Sequence, residues 1–150
     1  MDRPRLEFVF PAAHNPGREA RQRIGDFVRH RGFTERDVQT VELVASELIC
    51  NAIDHGGGGG ANEVEELKEQ VEVTVSLELS DESWSLAVTD QGGGDPKLLR
   101  TLAHPEQVPD LEDERGRGMY LLAQMVDSLE IERAEGGLRL RATCALGREA

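Results

Sequence analysis

Residues 41–60, VELVASELICNAIDHGGGGG, predict a helix that carries polar groups along one edge and then ends in a run of glycines. Glu47, Asn51 and His55 recur at every fourth position, so at about 100° per residue they form a stripe on one side of the helix. The glycines from 56 to 60 are typical of a helix C-terminus. Apolar residues fill the neighbouring arc, which we expect to face the core: Val41, Val44, Ala45, Leu48, Ile49, Ala52 and Ile53.

This polar stripe lies at the border of the apolar arc, where a carboxylate and an amide need partners. An unpaired buried polar group costs roughly 1–3 kcal/mol. An ordinary amphipathic helix whose polar residues are merely aligned explains the pattern equally well. The choice between a structural and a functional helix therefore depends on two glycine motifs further along the chain.

The first glycine motif is Asp90-Gln91-Gly92-Gly93-Gly94, which follows a strand-like run. Because glycine has no side chain, Gly92 and Gly94 let the backbone approach a flat ligand closely. The carboxylate of Asp90 can accept hydrogen bonds from such a ligand. Taken alone this motif is a weak signal, because Asp-x-Gly also marks common turns.

The second glycine motif, Arg115-Gly116-Arg117-Gly118-Met119, opens a helix-like run. Free N–H groups and the dipole at a helix start favour phosphate, which makes Gly116 and Gly118 candidate phosphate-binding residues. Arg115 and Arg117 add positive charge at the same place. Glycines at a helix start are usually structural, so this motif is also weak by itself.

The order Glu-x3-Asn, Asp-x-Gly-x-Gly and Gly-x-Gly resembles the N, G1 and G2 boxes of the GHKL (histidine-kinase-like) ATPase superfamily. Within it, the chain is similar to the anti-sigma factor serine-protein kinases from about residue 6 to residue 146. The resemblance implies a Bergerat-type ATP-binding fold that uses ATP and Mg²⁺. It implies that Asp90 accepts a hydrogen bond from the adenine amine and that Asn51 binds the magnesium ion. Amide oxygens suit Mg²⁺, which takes one or two protein ligands and phosphate oxygens.

The resemblance gives Glu47 the role of general base on an incoming serine or threonine hydroxyl of a partner protein. For His55 we favour a structural role, since an imidazole near a helix C-terminus interacts well with the dipole. Nucleotide binding is implied for the matching glycine-motif residues, namely Gly92, Gly94, Arg115, Gly116, Arg117, Gly118 and Met119.

In function, the resemblance implies an anti-sigma regulatory factor with ATP-dependent serine/threonine-protein kinase activity on an anti-anti-sigma (STAS) partner. It also implies binding of a sigma factor and a homodimer. A catalytically inactive, ATP-gated module that sequesters a regulator would use the same pocket, and the sequence does not separate the two. A sensor histidine kinase fits poorly, because 150 residues leave no room for a helical domain with a phospho-accepting histidine. A purely structural acidic protein also remains open.

Two departures from the family pattern concern the phosphate side and the partner. The family's later Gly-Thr pair is replaced by Gly136-Gly137-Leu138, so we expect no hydroxyl to serve the phosphate or a lid from that position. The glycine run and the acidic insert that follows it, residues 56–70, are longer than expected.

The remaining periodicity predicts an α+β fold formed by residues 1–150 as a single domain, a two-layer sandwich with helices on one face of a mixed, mostly antiparallel sheet. One helix is predicted to begin at an Asn15 cap and another at a Thr34–Asp37 capping box. The loop-rich residues 98–114 are typical of a lid. We predict strands at residues 6–10, 71–79, 84–90, 129–132 and 138–146, and a helix at residues 119–126.

The composition excludes several classes of function. A net charge of −12, from 29 acidic and 17 basic residues, argues against non-specific binding to nucleic acid or anionic lipid. No stretch reads as a signal peptide or a membrane span, so we expect a cytoplasmic protein. Cys50 and Cys144 fit free thiols in a reducing compartment. An arginine-rich side of the first helix is either solvated or a contact surface for an acidic partner or a second protomer.

Overall fold

The computed structural model describes residues 4–55, 61–67, 71–92, 96–104, 117–134 and 137–147. The strands are β1 (Arg5–Pro11), β2 (Glu72–Leu79), β3 (Ser83–Thr89), β4 (Ser128–Ala134) and β5 (Gly137–Ala145), and the α-helices are α1 (His14–His30), α2 (Glu35–His55), α3 (Pro96–Ala103) and α4 (Arg117–Met125). A short 3₁₀ helix occupies Val64–Glu66, within the acidic insert.

The five strands form one sheet in the order β1-β2-β3-β5-β4. Each neighbouring pair in this sheet is antiparallel, including β3 with β5, which are separated in sequence by α3, α4 and β4. The predicted α+β class is confirmed. The parallel pairing that a mixed sheet would contain does not occur among the strands described.

Successive side chains of a strand point to opposite faces of the sheet, so strands with apolar residues at every second position give the sheet one apolar face. The helices pack their apolar sides against that face. In β2 every second side chain is buried, from Val73 to Leu79. All seven residues predicted for the apolar arc of α2 are at most 2% exposed. A β-carbon on Gly17 of α1 would lie 2.8 Å from Cδ1 of Ile53, so the two long helices pack closely at this point.

The predicted Asn15 cap of α1 is wrong. The helix begins at His14, and its first free N–H groups are satisfied by backbone instead: His14 N donates to Ala61 O at 2.8 Å and Asn15 N donates to Asn62 O at 2.9 Å. The Asn15 side chain donates to the carboxylate of Glu63. The segment that follows the glycine run therefore caps the start of α1.

The predicted cap of α2 is confirmed in part. Asp37 N donates to Thr34 Oγ1 at 3.2 Å, as a capping threonine requires. The Asp37 carboxylate accepts the Thr34 hydroxyl at 3.1 Å and, at the far end of the chain, the Gly147 N–H at 3.1 Å. Asp37 is thus buried because it joins the start of α2 to the end of the sheet.

The predicted lid is partly regular structure. Residues 96–103 form α3, because Leu99 and Ala103, four residues apart, turn towards the core. The guanidinium of Arg100 donates to the main-chain oxygen of Ile131 in the edge strand β4. Residues 105–114, the rest of the predicted lid, lie outside the described residues.

Two expectations from composition concern the thiols and the membrane. Cys50 is half-buried and Cys144 is buried, and neither forms a disulfide bond. In the part of the chain that the structure describes, no helix combines the length and the apolar character needed to cross a bilayer.

Candidate functional site

The carboxyl ends of α2 and β3, which carry the first two motifs, lie at the same end of the molecule. The connection between β1 and α1 donates a backbone hydrogen bond to Val71 O, next to β2, at 3.0 Å. His14, the first residue of α1, reaches the end of α2, where its Nε2 lies 2.8 Å from Asp54 Oδ1. At the start of β2, Glu72 N donates to Gln91 Oε1 at 2.8 Å, just beyond β3. A short series of contacts therefore joins the two motifs.

The third motif meets the first through Glu47 and Gly118. Gly118 lies in the first turn of α4, and a β-carbon there would overlap Oε2 of Glu47 and lie 3.4 Å from its Cδ. Glu47 is exposed, and no described residue forms a hydrogen bond with its carboxylate. A carboxylate with free acceptor positions thus stands beside the start of a helix.

Asn51 lies one turn after Glu47 on α2 and is half-buried. No other residue in the described ranges forms a hydrogen bond with its side-chain amide. In the same part of the chain, no group of three or more His, Cys, Asp or Glu residues is arranged to hold a metal ion. An amide oxygen such as that of Asn51 suits Mg²⁺ bound with a nucleotide, since phosphate oxygens and water complete the shell of that ion.

Asp90 follows β3 directly and is only 3% exposed. Its Oδ1 accepts two backbone hydrogen bonds, from Gly92 N at 2.8 Å and from Leu138 N at 3.2 Å. Burial raises the pKa of the Asp90 carboxyl, and these two N–H groups offset part of that rise. A buried carboxylate held in this way is typical of a binding site for a hydrogen-bond donor.

Sequence reasoning did not place Leu138 beside Asp90. The structure brings the main-chain N–H of Leu138 against the Asp90 carboxylate, at the first glycine motif. The antiparallel register of β3 and β5, which pairs Thr89 with Arg139, puts Leu138 opposite Asp90. The glycine before it, Gly137, was also missed. The glycines of this turn indicated an unusual backbone conformation. The contact with Asp90 could not be predicted, because Asp90 lies 48 residues before Leu138 in the sequence.

The remaining predicted site residues fall into two groups. Met119 is buried and packs in the core beside Gly118, while Gly92 supplies an N–H to Asp90. The other group lies outside the described residues, either wholly (Gly94, Arg115 and Gly116) or as side chains alone (His55 and Arg117). Their roles stay predictions.

The arginine-rich side of α1 lines a groove against α2. Within it, Arg29 Nη2 lies 2.8 Å from Glu42 Oε1, and Arg21 donates to Ser46 Oγ at 3.0 Å. Arg18 lines the same groove. Two of these arginines therefore join the helices to each other, and the alternatives of a solvated or a contact surface stay open for the rest.

Comparison with known proteins identifies relatives along almost the whole chain. The profile of the histidine kinase-like ATPase domain matches residues 10–144. The anti-sigma F factor of Pasteuria penetrans is 27% identical over 138 residues, which cover 91% of this chain and 86% of the relative. The anti-sigma F factor of Clostridium botulinum strain Eklund 17B is 29% identical over 140 residues, covering 91% and 89%. The serine-protein kinase RsbW of Bacillus licheniformis is 25% identical over 122 residues, covering 79% and 71%.

Two solved structures share the fold. The structure of the RsbU and RsbW domains of a Mycobacterium tuberculosis protein superposes with a TM-score of 0.61 at 21% identity, and it covers 98% of this chain. This chain spans 34% of that longer protein. The SiaB–SiaC complex of Pseudomonas aeruginosa gives a TM-score of 0.66 at 16% identity, covering 92% of this chain and 88% of the other.

The family predicted from the three motifs is thus confirmed by the sequence profile, and the predicted fold is confirmed by the structural neighbours. The motif-bearing ends of α2, β3 and α4 lie within the matched residues. The chain belongs to the histidine kinase-like ATPase domain family.

Proposed function

We propose that the chain is an ATP- and Mg²⁺-dependent serine/threonine-protein kinase that acts as an anti-sigma regulatory factor. The observation that carries this proposal is the contact between Glu47 and Gly118. It brings an open carboxylate to the start of α4, where a helix N-terminus favours phosphate. A carboxylate in that position can accept the proton of a hydroxyl that attacks a phosphate.

The residues present fit an adenine nucleotide at this end of the molecule. Asp90 offers a fixed acceptor, because only one of its two oxygens bonds to described residues. Gly118 leaves room for the Glu47 carboxylate beside the start of α4, and any side chain there would displace it. Asn51, with no protein hydrogen bond among the described residues, can turn its amide oxygen to a magnesium ion. When bound, the magnesium ion would neutralise charge on the phosphates.

In the proposed reaction Glu47 accepts the proton of a serine or threonine hydroxyl. The hydroxyl oxygen forms its bond to the γ-phosphorus as the bond to the β,γ-bridging oxygen breaks, so ADP leaves and the proton stays on Glu47. Such a positioned base typically contributes roughly 10²–10⁴-fold to the rate. Asp90 takes no part in this transfer; it would hold the base of the nucleotide.

The names of the relatives support the choice of partner. Three relatives are anti-sigma F factors or RsbW serine-protein kinases, and they align over most of this chain. We therefore propose an anti-anti-sigma protein of the STAS type as the substrate and a sigma factor as the sequestered partner, with the chain acting as a cytoplasmic homodimer. The net charge of −12 suits partners that bring basic surfaces.

The test uses γ-³²P-labelled ATP, Mg²⁺ and the STAS-domain proteins of the same organism, each purified singly. We expect label on a serine or threonine of one of them with the wild-type chain and none with Glu47→Gln. If wild type binds ATP but labels none of them, the chain is an ATP-gated binding module. A wild-type chain that fails to bind ATP at all contradicts the proposal as a whole.

A further inference from the structure

The hydrogen bonds of Asp90 are unevenly divided between its two oxygens. Oδ1 accepts both backbone donors, from Gly92 and Leu138, and the exchange with Leu138 is reciprocal because Asp90 N donates to Leu138 O at 2.9 Å. Asp90 is therefore joined to the start of β5 as a further ladder residue. The carboxylate plane is fixed by groups that belong to the main chain.

The second oxygen, Oδ2, accepts no hydrogen bond from any residue in the described ranges. An oriented acceptor that the described residues leave unused is suited to a donor on a ligand.

Gly137 makes this arrangement possible. A β-carbon at Gly137 would overlap the carbonyl oxygen of Asp90 and lie 2.8 Å from the Cα of Gln91. Both obstacles are backbone atoms, which cannot move aside as the end of a side chain can. Only a glycine lets β5 begin close enough for Leu138 N to reach Oδ1.

The side chain of Leu138 takes no part in this contact, because it is 2% exposed and packs in the core. The family's hydroxyl at this position is absent, and a backbone N–H is what reaches the carboxylate. We propose that Gly137 and the Leu138 N–H together fix the base selectivity of the site. They commit Oδ1 to the protein and leave Oδ2 as an acceptor for the amino group of a 6-aminopurine. This inference rests on the proposed nucleotide site.

The proposal makes a specific prediction for an amide at position 90. Two N–H donors at one atom can be satisfied only by an oxygen, so Asp90→Asn must place its Oδ1 there and turn its NH₂ group to the position of Oδ2. The acceptor offered to the base then becomes a donor. A 6-oxopurine, which presents an acceptor at the same position, becomes the better match.

The experiment measures binding of ATP and of inosine triphosphate (ITP), each with Mg²⁺, to wild type and Asp90→Asn by calorimetry. We expect wild type to bind ATP at least tenfold more tightly than ITP, and Asp90→Asn to reverse that order. If the variant loses both nucleotides to the same extent, the amide is not oriented and the inference is wrong, although the nucleotide site stands. If it binds ATP as wild type does, Asp90 is outside the pocket and the site itself is wrong.

Gly137→Ala tests the positioning role separately, with Gly25→Ala as its matched control. The added methyl at the buried Gly25 would meet the flexible ends of two side chains, Glu42 at 3.3 Å and Arg29 at 3.4 Å. We expect Gly137→Ala to lower the ATP-to-ITP preference at least fivefold and Gly25→Ala to leave it unchanged. A folded Gly137→Ala protein with the wild-type preference would overturn the role of Gly137. Asp90→Asn decides the orientation of the acceptor whether or not Gly137→Ala folds.

Discussion

The carboxylate of Glu47 lies directly against Gly118, so that a β-carbon on the glycine would occupy the position of Oε2. Glu47 belongs to the helix that carries the N-box-like motif, and Gly118 opens the helix that follows the last glycine motif. Since the obstacle is the end of a flexible side chain, a methyl group at this point would displace the carboxylate and leave the fold intact.

Gly118→Ala is therefore expected to impair transfer more than stability. A catalytic group misplaced by about 1 Å can cost on the order of 100-fold in rate, and we expect a loss of that size in phosphotransfer. The unfolding midpoint should remain within a few degrees of wild type. Trp84, the single tryptophan, is 1% exposed and reports unfolding by its fluorescence. Wild-type transfer by Gly118→Ala would show that the contact has no catalytic consequence.

Glu47→Gln keeps the shape of the side chain and removes its basicity. We expect phosphotransfer to fall by roughly 10²–10⁴-fold, the usual contribution of a general base, while the affinity for ATP with Mg²⁺ stays within a few-fold of wild type. Single-turnover kinetics and calorimetry on the same preparation separate the two effects. A variant that transfers phosphate at the wild-type rate would remove Glu47 from the mechanism.

The stability of the nucleotide-free protein should depend on pH through Asp90. Burial raises the pKa of this carboxyl above its ordinary value of 3.8, so folding favours the protonated form. The resulting stability is fully present below pH 3.8 and is lost as the pH rises through the folded-state pKa. Asp90→Asn does not titrate. We therefore expect the free energy of unfolding of the variant, relative to that of wild type, to increase as the pH rises through this window. Urea unfolding followed by Trp84 fluorescence measures this difference.

Glu132 provides a control for this prediction, because its contribution to stability has the opposite pH dependence. Its hydrogen bond with Arg139, and the charge of that arginine, hold the pKa of Glu132 below its ordinary value of 4.5. Its contribution is present above pH 4.5 and is lost as the pH falls through the lowered pKa. Glu132→Gln should thus differ from wild type most at neutral pH and converge with it in acid. If Asp90→Asn followed the Glu132→Gln trend, the account of Asp90 would be wrong.

Thr34→Ala tests the fold without touching the site. Thr34 caps α2 through the N–H of Asp37, and the loss of such a cap costs about 0.5–2 kcal/mol. We expect a loss of that size in the free energy of unfolding, with ATP affinity unchanged in the folded protein. An unchanged unfolding midpoint would mean that Asp37, through its bond to Gly147, holds the helix start alone.

The elements that could be predicted from the sequence are those set by local pattern. The alternation of residues 71–79 gave β2, and the apolar arc on residues 41–53 gave the buried side of α2, because burial of one face imposes a period. The start of α2 was also predictable, because the partner of the capping threonine is only three residues away.

What the sequence could not give are partners distant in the chain. The start of α1 was wrong because its N–H groups find carbonyl oxygens at residues 61 and 62, beyond the glycine run. The contact of Leu138 with Asp90 depends on the register of β5 against β3, and no local pattern encodes it. The candidate site was therefore predictable as a set of motifs, while its internal contacts were not.

The most direct test of the account is a crystal structure of the chain with Mg²⁺ and a non-hydrolysable ATP analogue. The account predicts the adenine amine on Oδ2 of Asp90, the magnesium ion on the Asn51 amide oxygen and the γ-phosphate beside Gly118 and Glu47. A nucleotide bound elsewhere, or one that meets Asp90 while its phosphates extend away from Asn51, would contradict it.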